Sequence, residues 1–130
     1  GKAIQLGDLL DEVPVDSARF LFNMREANSQ MEFDLDLAVK QDSQNPVYYV
    51  QYARARICSI LKALAADGIT PYPCTDEELR LLTAPAELEL IRHLSAYTSE
   101  IIEAAKDYDP ARITRYVITL CSINFMMHAV

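Results

Sequence analysis

Apolar residues recur at helical spacing along most of this chain, and no stretch of any length alternates apolar and polar positions as a half-buried strand would. LGDLLDEV over 6–13 reads as a short helix. VDSARFLFNMRE reads as a second, with Asp16 as its cap and Phe20, Leu21 and Met24 on its apolar side. ANSQMEF interrupts, DLDLAVKQ forms a brief helix opened by Asp34, and DSQ makes a polar turn. Asn45 followed by Pro46 is a strong start for a long helix. The asparagine side chain accepts from the free amides of the first turn, and proline at the first helical position gives up no bond it would have made. That helix runs to Asp67, where Gly68 supplies the stop.

ITPYPC is an extended connector, and Thr75 with Glu78 frames a capping box for a short helix through Leu82. Pro85 to about Lys106 reads as one helix carrying Leu88, Ile91, Leu94, Ile101 and Ile102 at helical spacing. DYDP, with Asp109 as cap and Pro110 at the first helical position, restarts the chain for a last helix toward Val130. No stop signal ends that helix, which predicts that the domain continues beyond this chain. The pattern as a whole predicts an all-α fold, an antiparallel helical bundle forming a single domain over 1–130.

Composition removes several function classes. A chain of 130 residues that is 51% hydrophobic can bury one core. No apolar run approaches the ~20 residues needed to cross a bilayer, so no membrane partner is expected. Residues 1–12 carry no secretory or organellar address, and Cys58, Cys74 and Cys121 are scattered without metal-ligand spacing. A cytoplasmic setting with reduced thiols is the expectation. The net charge of -7 argues against general affinity for polyanions, so any contact with nucleic acid must be local.

Catalytic chemistry is not visible. Three glycines are too few for a phosphate cradle, and no nucleophile sits with a base. Asp8 and Asp11 read as a solvated helix face, and Asp34 and Asp36 as charge supporting a helix N-terminus. His93, between Arg92 and Leu94 in a helix, reads as a surface or packed residue. No catalytic residue, metal ligand or cofactor is expected in this segment.

NPVYYVQYARARI, from Asn45 to Ile57, is the most informative stretch. At about 100° per residue, Val50, Ala53, Ile57, Ile60, Leu61 and Leu64 form one apolar stripe, the expected core side. Tyr48, Tyr52 and Ser59 fall on the opposite face, with Tyr49 and Arg56 on one flank, so one core cannot need all three rings. Two readings stand. Either the helix packs on two sides, with Ala55, Ser59, Ala63 and Ala66 letting a second helix approach, or one or two rings stack on unpaired bases while Arg56 reaches a phosphate.

GKAIQLGDLLDEV, DSARFLFNMR, FDLDLA and NPVYYVQYARARI, in that order and at these intervals, closely resemble the junction and anticodon-binding (DALR-type) domain of bacterial arginyl-tRNA synthetases. ARITRYV, from Ala111 to Val117, continues the resemblance. It implies a bundle of the class I aminoacyl-tRNA synthetase anticodon-binding type, with 1–33 as junction helices after the catalytic domain's signature loop and 34–130 as the main bundle. The closing helix would be missing. The implied partners are arginine tRNA, through its anticodon loop, and the catalytic domain of the same protein, which joins arginine to tRNA with ATP and Mg2+. The fragment alone would be inactive, and apolar surface left by the missing helix would favour self-association.

The genetic code adds that every arginine codon has G in the middle, so every arginine anticodon has a central C. In the family, the turn like Asp42 to Asn45 and the Tyr-rich helix start approach the anticodon loop. Carried over by position, this implies Gln44, Asn45, Tyr48, Tyr49 and Tyr52 as tRNA-binding residues, with Arg56 as a phosphate contact. Arg54 stands where relatives usually have histidine after QYA. Asn124, Phe125, Met126, Met127 and His128 stand where relatives carry an F-H-x-F-Y-like run. By periodicity Asn124 shares the core stripe with Ile113, Val117 and Leu120, where a buried amide needs partners. The rival from another class is a helical protein-protein interaction module without RNA binding.

Overall fold

The computed structural model describes residues 4–127, and every regular element among them is helical. In chain order they are α1 (Leu6–Glu12), α2 (Val15–Asn23), α3 (Leu35–Val39), α4 (Pro46–Ala66), α5 (Asp76–Leu79), α6 (Pro85–Ser95), α7 (Tyr97–Asp107) and α8 (Ala111–Met127). Gly1 to Ala3 and His128, on which part of the sequence reading falls, lie outside the described residues.

Local chemistry explains most boundaries. Asp34 caps α3 by accepting from the Leu37 amide at 2.9 Å, and Thr75 and Glu78 complete a reciprocal capping box on α5. The hydrogen bond from the Thr75 backbone amide, with those from the Tyr72 hydroxyl at 2.8 Å and the Thr75 hydroxyl, holds the Glu78 carboxyl below the usual range. Gly68, at φ 77°, takes the left-handed turn that ends α4. α7 ends on Tyr108 at φ 51°, a left-handed position where a side chain costs strain. Asp109 then accepts from the Ala111 amide at 3.0 Å, restarting the chain as expected.

Asn45 does more than cap α4. Its Oδ1 accepts from the Val47 amide at 3.0 Å, while its Nδ2 donates to the carbonyls of Ala38 at 3.2 Å and Lys40 at 2.8 Å. One side chain thus ties the end of α3 to the start of α4. Around that tie, Leu9, Val13, Ala18 and Leu21 of the first two helices bury themselves against Ala38 and Val47. Phe20, Met24, Met31, Phe33 and Leu35 close the edges of this cluster.

α8 is the shared neighbour of α2, α4, α6 and α7. Its link to α6 is reciprocal: the Tyr116 hydroxyl donates to the His93 carbonyl at 2.8 Å, and His93 Nε2 donates to the Tyr116 carbonyl at 3.0 Å. The two rings stack at 4.1 Å, so His93 is packed and structural. Burial, with lesser contributions from Tyr97 and Glu100, raises the Tyr116 hydroxyl above its ordinary pKa.

Several sequence expectations are corrected. Pro85 to Lys106 is two helices, broken at Ala96, whose amide bonds His93 three residues back at 3.2 Å. No glycine or proline announces the break, which lets α6 and α7 both pack on α8. Pro14 occupies the cap position of α2, and Asp16 sits inside the first turn, accepting from the Ser17 amide and from Gln51 Nε2. The α4 stripe is buried only near its start: Ala53 is in the core, but Ile57 and Leu61 are 42% and 46% exposed. Ala55, Ser59, Ala63 and Ala66 are also exposed, and no helix among the described residues covers them.

Candidate nucleic-acid interface

Antiparallel packing of α4 on α8 sets the first turns of one helix beside the last turns of the other. The Tyr49 hydroxyl donates to Ser122 Oγ at 3.3 Å, and the Ser122 hydroxyl in turn donates to the Ile118 carbonyl at 3.1 Å. The Tyr49 ring leans on Phe125 at 5.0 Å with 42° between planes. Tyr49 is therefore the ring that joins the two helices.

Tyr48 and Tyr52 are one helical turn apart on the outer face, nearly parallel at 8° with centroids 6.3 Å apart. Tyr52 continues the series to Phe125 at 5.7 Å and 15°. These rings and Ser43 line a cleft of about 470 Å³ that opens to solvent. Tyr52 remains 47% exposed at its side, an amphipathic ring with neither a hydrogen-bond partner nor a full apolar cover among the described residues. An array of near-parallel rings beside an open cleft suits a flat, partly polar ligand, because aromatic faces gain by offset stacking.

The other residues implied by the resemblance divide by accessibility. Gln44 is exposed in the turn; its amide donates to Asp42 Oδ1 at 2.8 Å, and its Oε1 accepts from Lys40 Nζ at 2.6 Å. Asn45 is only 3% exposed and both ends of its amide are engaged, so it offers a partner no free donor and serves to hold the turn. Arg56 lies exposed one turn beyond Tyr52. Neither it nor Arg54 forms an ion pair among the described residues, so both charges are free to meet an anion.

Phe125 was not singled out as a site residue by sequence reasoning, although it lies in the stretch opposite the family's aromatic run. The usable signal was topological: if α4 and α8 run antiparallel, the end of α8 must face the tyrosines. Its neighbour Asn124, expected on the core stripe, does have a buried amide nitrogen, and that atom finds no partner among the described residues. No group of acidic, histidine or cysteine side chains among the described residues could hold a metal ion. None of the described helices is long and apolar enough to cross a membrane.

Comparison with known proteins places this chain in a family. The chain is 50% identical over 125 residues to the arginine–tRNA ligase of Acetivibrio thermocellus, a match covering 96% of this chain and 22% of that protein. It is 51% identical over 123 residues to the arginine–tRNA ligase of Caldanaerobacter subterraneus subsp. tengcongensis, again with 22% of the relative covered. The chain thus spans about a fifth of the length of these curated relatives. A solved Campylobacter jejuni chain, described as an arginyl t-RNA synthetase, superposes over 99% of this chain and 28% of its own length, with a TM-score of 0.77 at 23% identity. That likeness supports the all-α fold. A model of the DALR anticodon binding domain matches residues 50–124, more than half the chain and inclusive of Tyr52 and Arg56. The chain, similar throughout to one region of bacterial arginine–tRNA ligases, belongs to the DALR anticodon-binding domain family.

Proposed function

We propose that this chain reads the anticodon loop of arginine tRNA on behalf of a ligase that joins arginine to that tRNA with ATP and magnesium. The observation that carries the proposal is the aromatic cleft itself. Tyr48, Tyr52 and Phe125 present near-parallel rings at an opening, and Arg56, one turn away, forms no ion pair among the described residues. Proteins that read single-stranded RNA splay out bases and stack them on such rings, while a nearby guanidinium takes the phosphate. The central cytosine common to arginine anticodons is the base assigned to the cleft. Tyr52 is its principal platform, Tyr48 extends the platform, and Tyr49 fixes the wall.

The test separates tRNA recognition from the rest of the enzyme. In the ligase carrying this segment, Tyr52→Ala is expected to weaken arginine tRNA by about 1 to 3 kcal/mol, the worth of one base stacked on an aromatic ring. The KM for tRNA should rise accordingly, with the KM for ATP unchanged. A KM for tRNA equal to that of the parent protein, with the fold intact by circular dichroism, would overturn the assignment.

A further inference from the structure

The aromatic cleft rests on one polar anchor that stands behind its lining. Among the described residues, the bond from the Tyr49 hydroxyl to Ser122 Oγ is the only hydrogen bond that joins α4 to α8. Helical spacing keeps this anchor close to the stacked rings. Tyr49 and Tyr52 lie three residues apart on α4, and Ser122 and Phe125 three apart on α8, so the members of each pair are neighbours on their helix. The four side chains close a loop: Tyr49 bonds Ser122 and leans on Phe125 at 5.0 Å, and Phe125 stacks on Tyr52 at 5.7 Å and 15°. Phe125 has no polar atom, so packing alone holds its side chain. Of the two rings it packs against, Tyr49 is the one that a hydrogen bond fixes. The Ser122 hydroxyl is itself set, because it donates to the Ile118 carbonyl one turn back at 3.1 Å and so meets Tyr49 as an acceptor.

We infer that Ser122 is a positioning residue for this cleft: by accepting from the Tyr49 hydroxyl it fixes the tilt of the Tyr49 ring, and with it the plane of Phe125 against Tyr52. The inference rests on the proposed reading of the anticodon loop, which uses those rings as one platform. Tyr49 and Ser122 are both half-buried, so a phenol deprived of its acceptor is left unsatisfied unless it turns toward water. The cleft that Tyr49 lines is open to solvent and supplies that water. A hydroxyl that swings there carries the ring off Phe125 and into the space assigned to a base. Phe125 then loses its fixed neighbour and is free to leave the series with Tyr52. Offset stacking depends on the relative placement of the rings, so a base arriving at the cleft finds a poorer platform. One neutral bond matters little to a bundle held by several helix contacts, and much to three rings that must lie in one series.

The test uses the ligase carrying this segment and reads the KM for arginine tRNA beside the midpoint of urea unfolding. Ser122→Ala and Tyr49→Phe each delete the bond, and each should raise the KM for tRNA about threefold to tenfold, the span of one neutral hydrogen bond, with the KM for ATP unchanged. The double variant should be no worse than either single one, since both remove the same interaction. Ser122→Thr keeps a hydroxyl that can make the same back-bond and should restore the KM of the parent protein. Phe125→Leu separates positioning from stability. In that background no ring remains to be aligned, so adding Ser122→Ala should lower the urea midpoint yet leave the KM for tRNA where Phe125→Leu put it. A rise in KM on Ser122→Ala that is the same in the parent and in the Phe125→Leu background, or additive effects of Ser122→Ala and Tyr49→Phe, overturns the positioning role. So does a KM unmoved by both single variants while Tyr52→Ala raises it, a result that leaves the aromatic cleft in place. A KM unmoved by Tyr52→Ala overturns the anticodon reading, and the positioning role with it.

Discussion

Single residues in this chain divide into those that hold geometry and those left free to meet a partner, and burial tells them apart. Asn45, Tyr49 and Tyr116 are polar side chains whose bonds all go to the protein, each joining two elements. Tyr52 and Arg56 are exposed side chains with no hydrogen-bond or ion partner among the described residues. Asn45→Ala removes a helix cap and leaves the carbonyl groups of Ala38 and Lys40 without their donor. It is expected to destabilise the fold by about 2 kcal/mol, above the usual worth of a cap alone, read as a lower midpoint in urea. An effect on stability of a few tenths, with tRNA binding lost, would instead make Asn45 a contact residue. From the sequence, Asn45 could be read as a cap, but the two carbonyls it binds come from the last turn of α3 and from Lys40 just after it, and were invisible there.

At the scale of elements, helix starts were legible because their chemistry is local. Asp34, Asn45, Thr75 and Asp109 each accept from an amide two or three residues on, as their spacing predicted. The break between α6 and α7 was not legible, because tertiary packing on α8 imposes it. The left-handed Tyr108 is a third kind of feature, set by the turn and not by its side chain. Its ring is 89% exposed and makes no hydrogen bond among the described residues. Tyr108→Gly should therefore relieve the strained backbone and raise stability by about 1 kcal/mol, measurable as a higher Tm, with no change in binding at the distant aromatic cleft. A lower Tm would show that the ring contributes packing to the turn between α7 and α8.

For the whole molecule, charge and shape act against each other. A net charge of -7 repels RNA at long range, so the proposed recognition relies on the local combination of rings and of Arg54 and Arg56, which form no ion pair among the described residues. Salt dependence reports that balance. Binding of arginine tRNA to the chain should fall with log salt at a slope of about -0.7 to -1.4, the value for one or two phosphates neutralised. A slope of -4 or steeper would mean a broad phosphate track and a different docking surface. The exposed Ile57 and Leu61 of α4, with Leu88, Ile91 and Leu94 of α6, leave apolar surface uncovered among the described residues. The expected self-association bears on this surface.

The sequence by itself determined that the chain is helical, where most helices begin, and which stretch holds the surplus aromatic rings, because capping and periodicity act within a few residues. Its motifs also carried the family resemblance. Only the tertiary structure decided which tyrosine holds the fold and which stays free, since that depends on where Ser122 and Phe125 arrive from the far end of the chain.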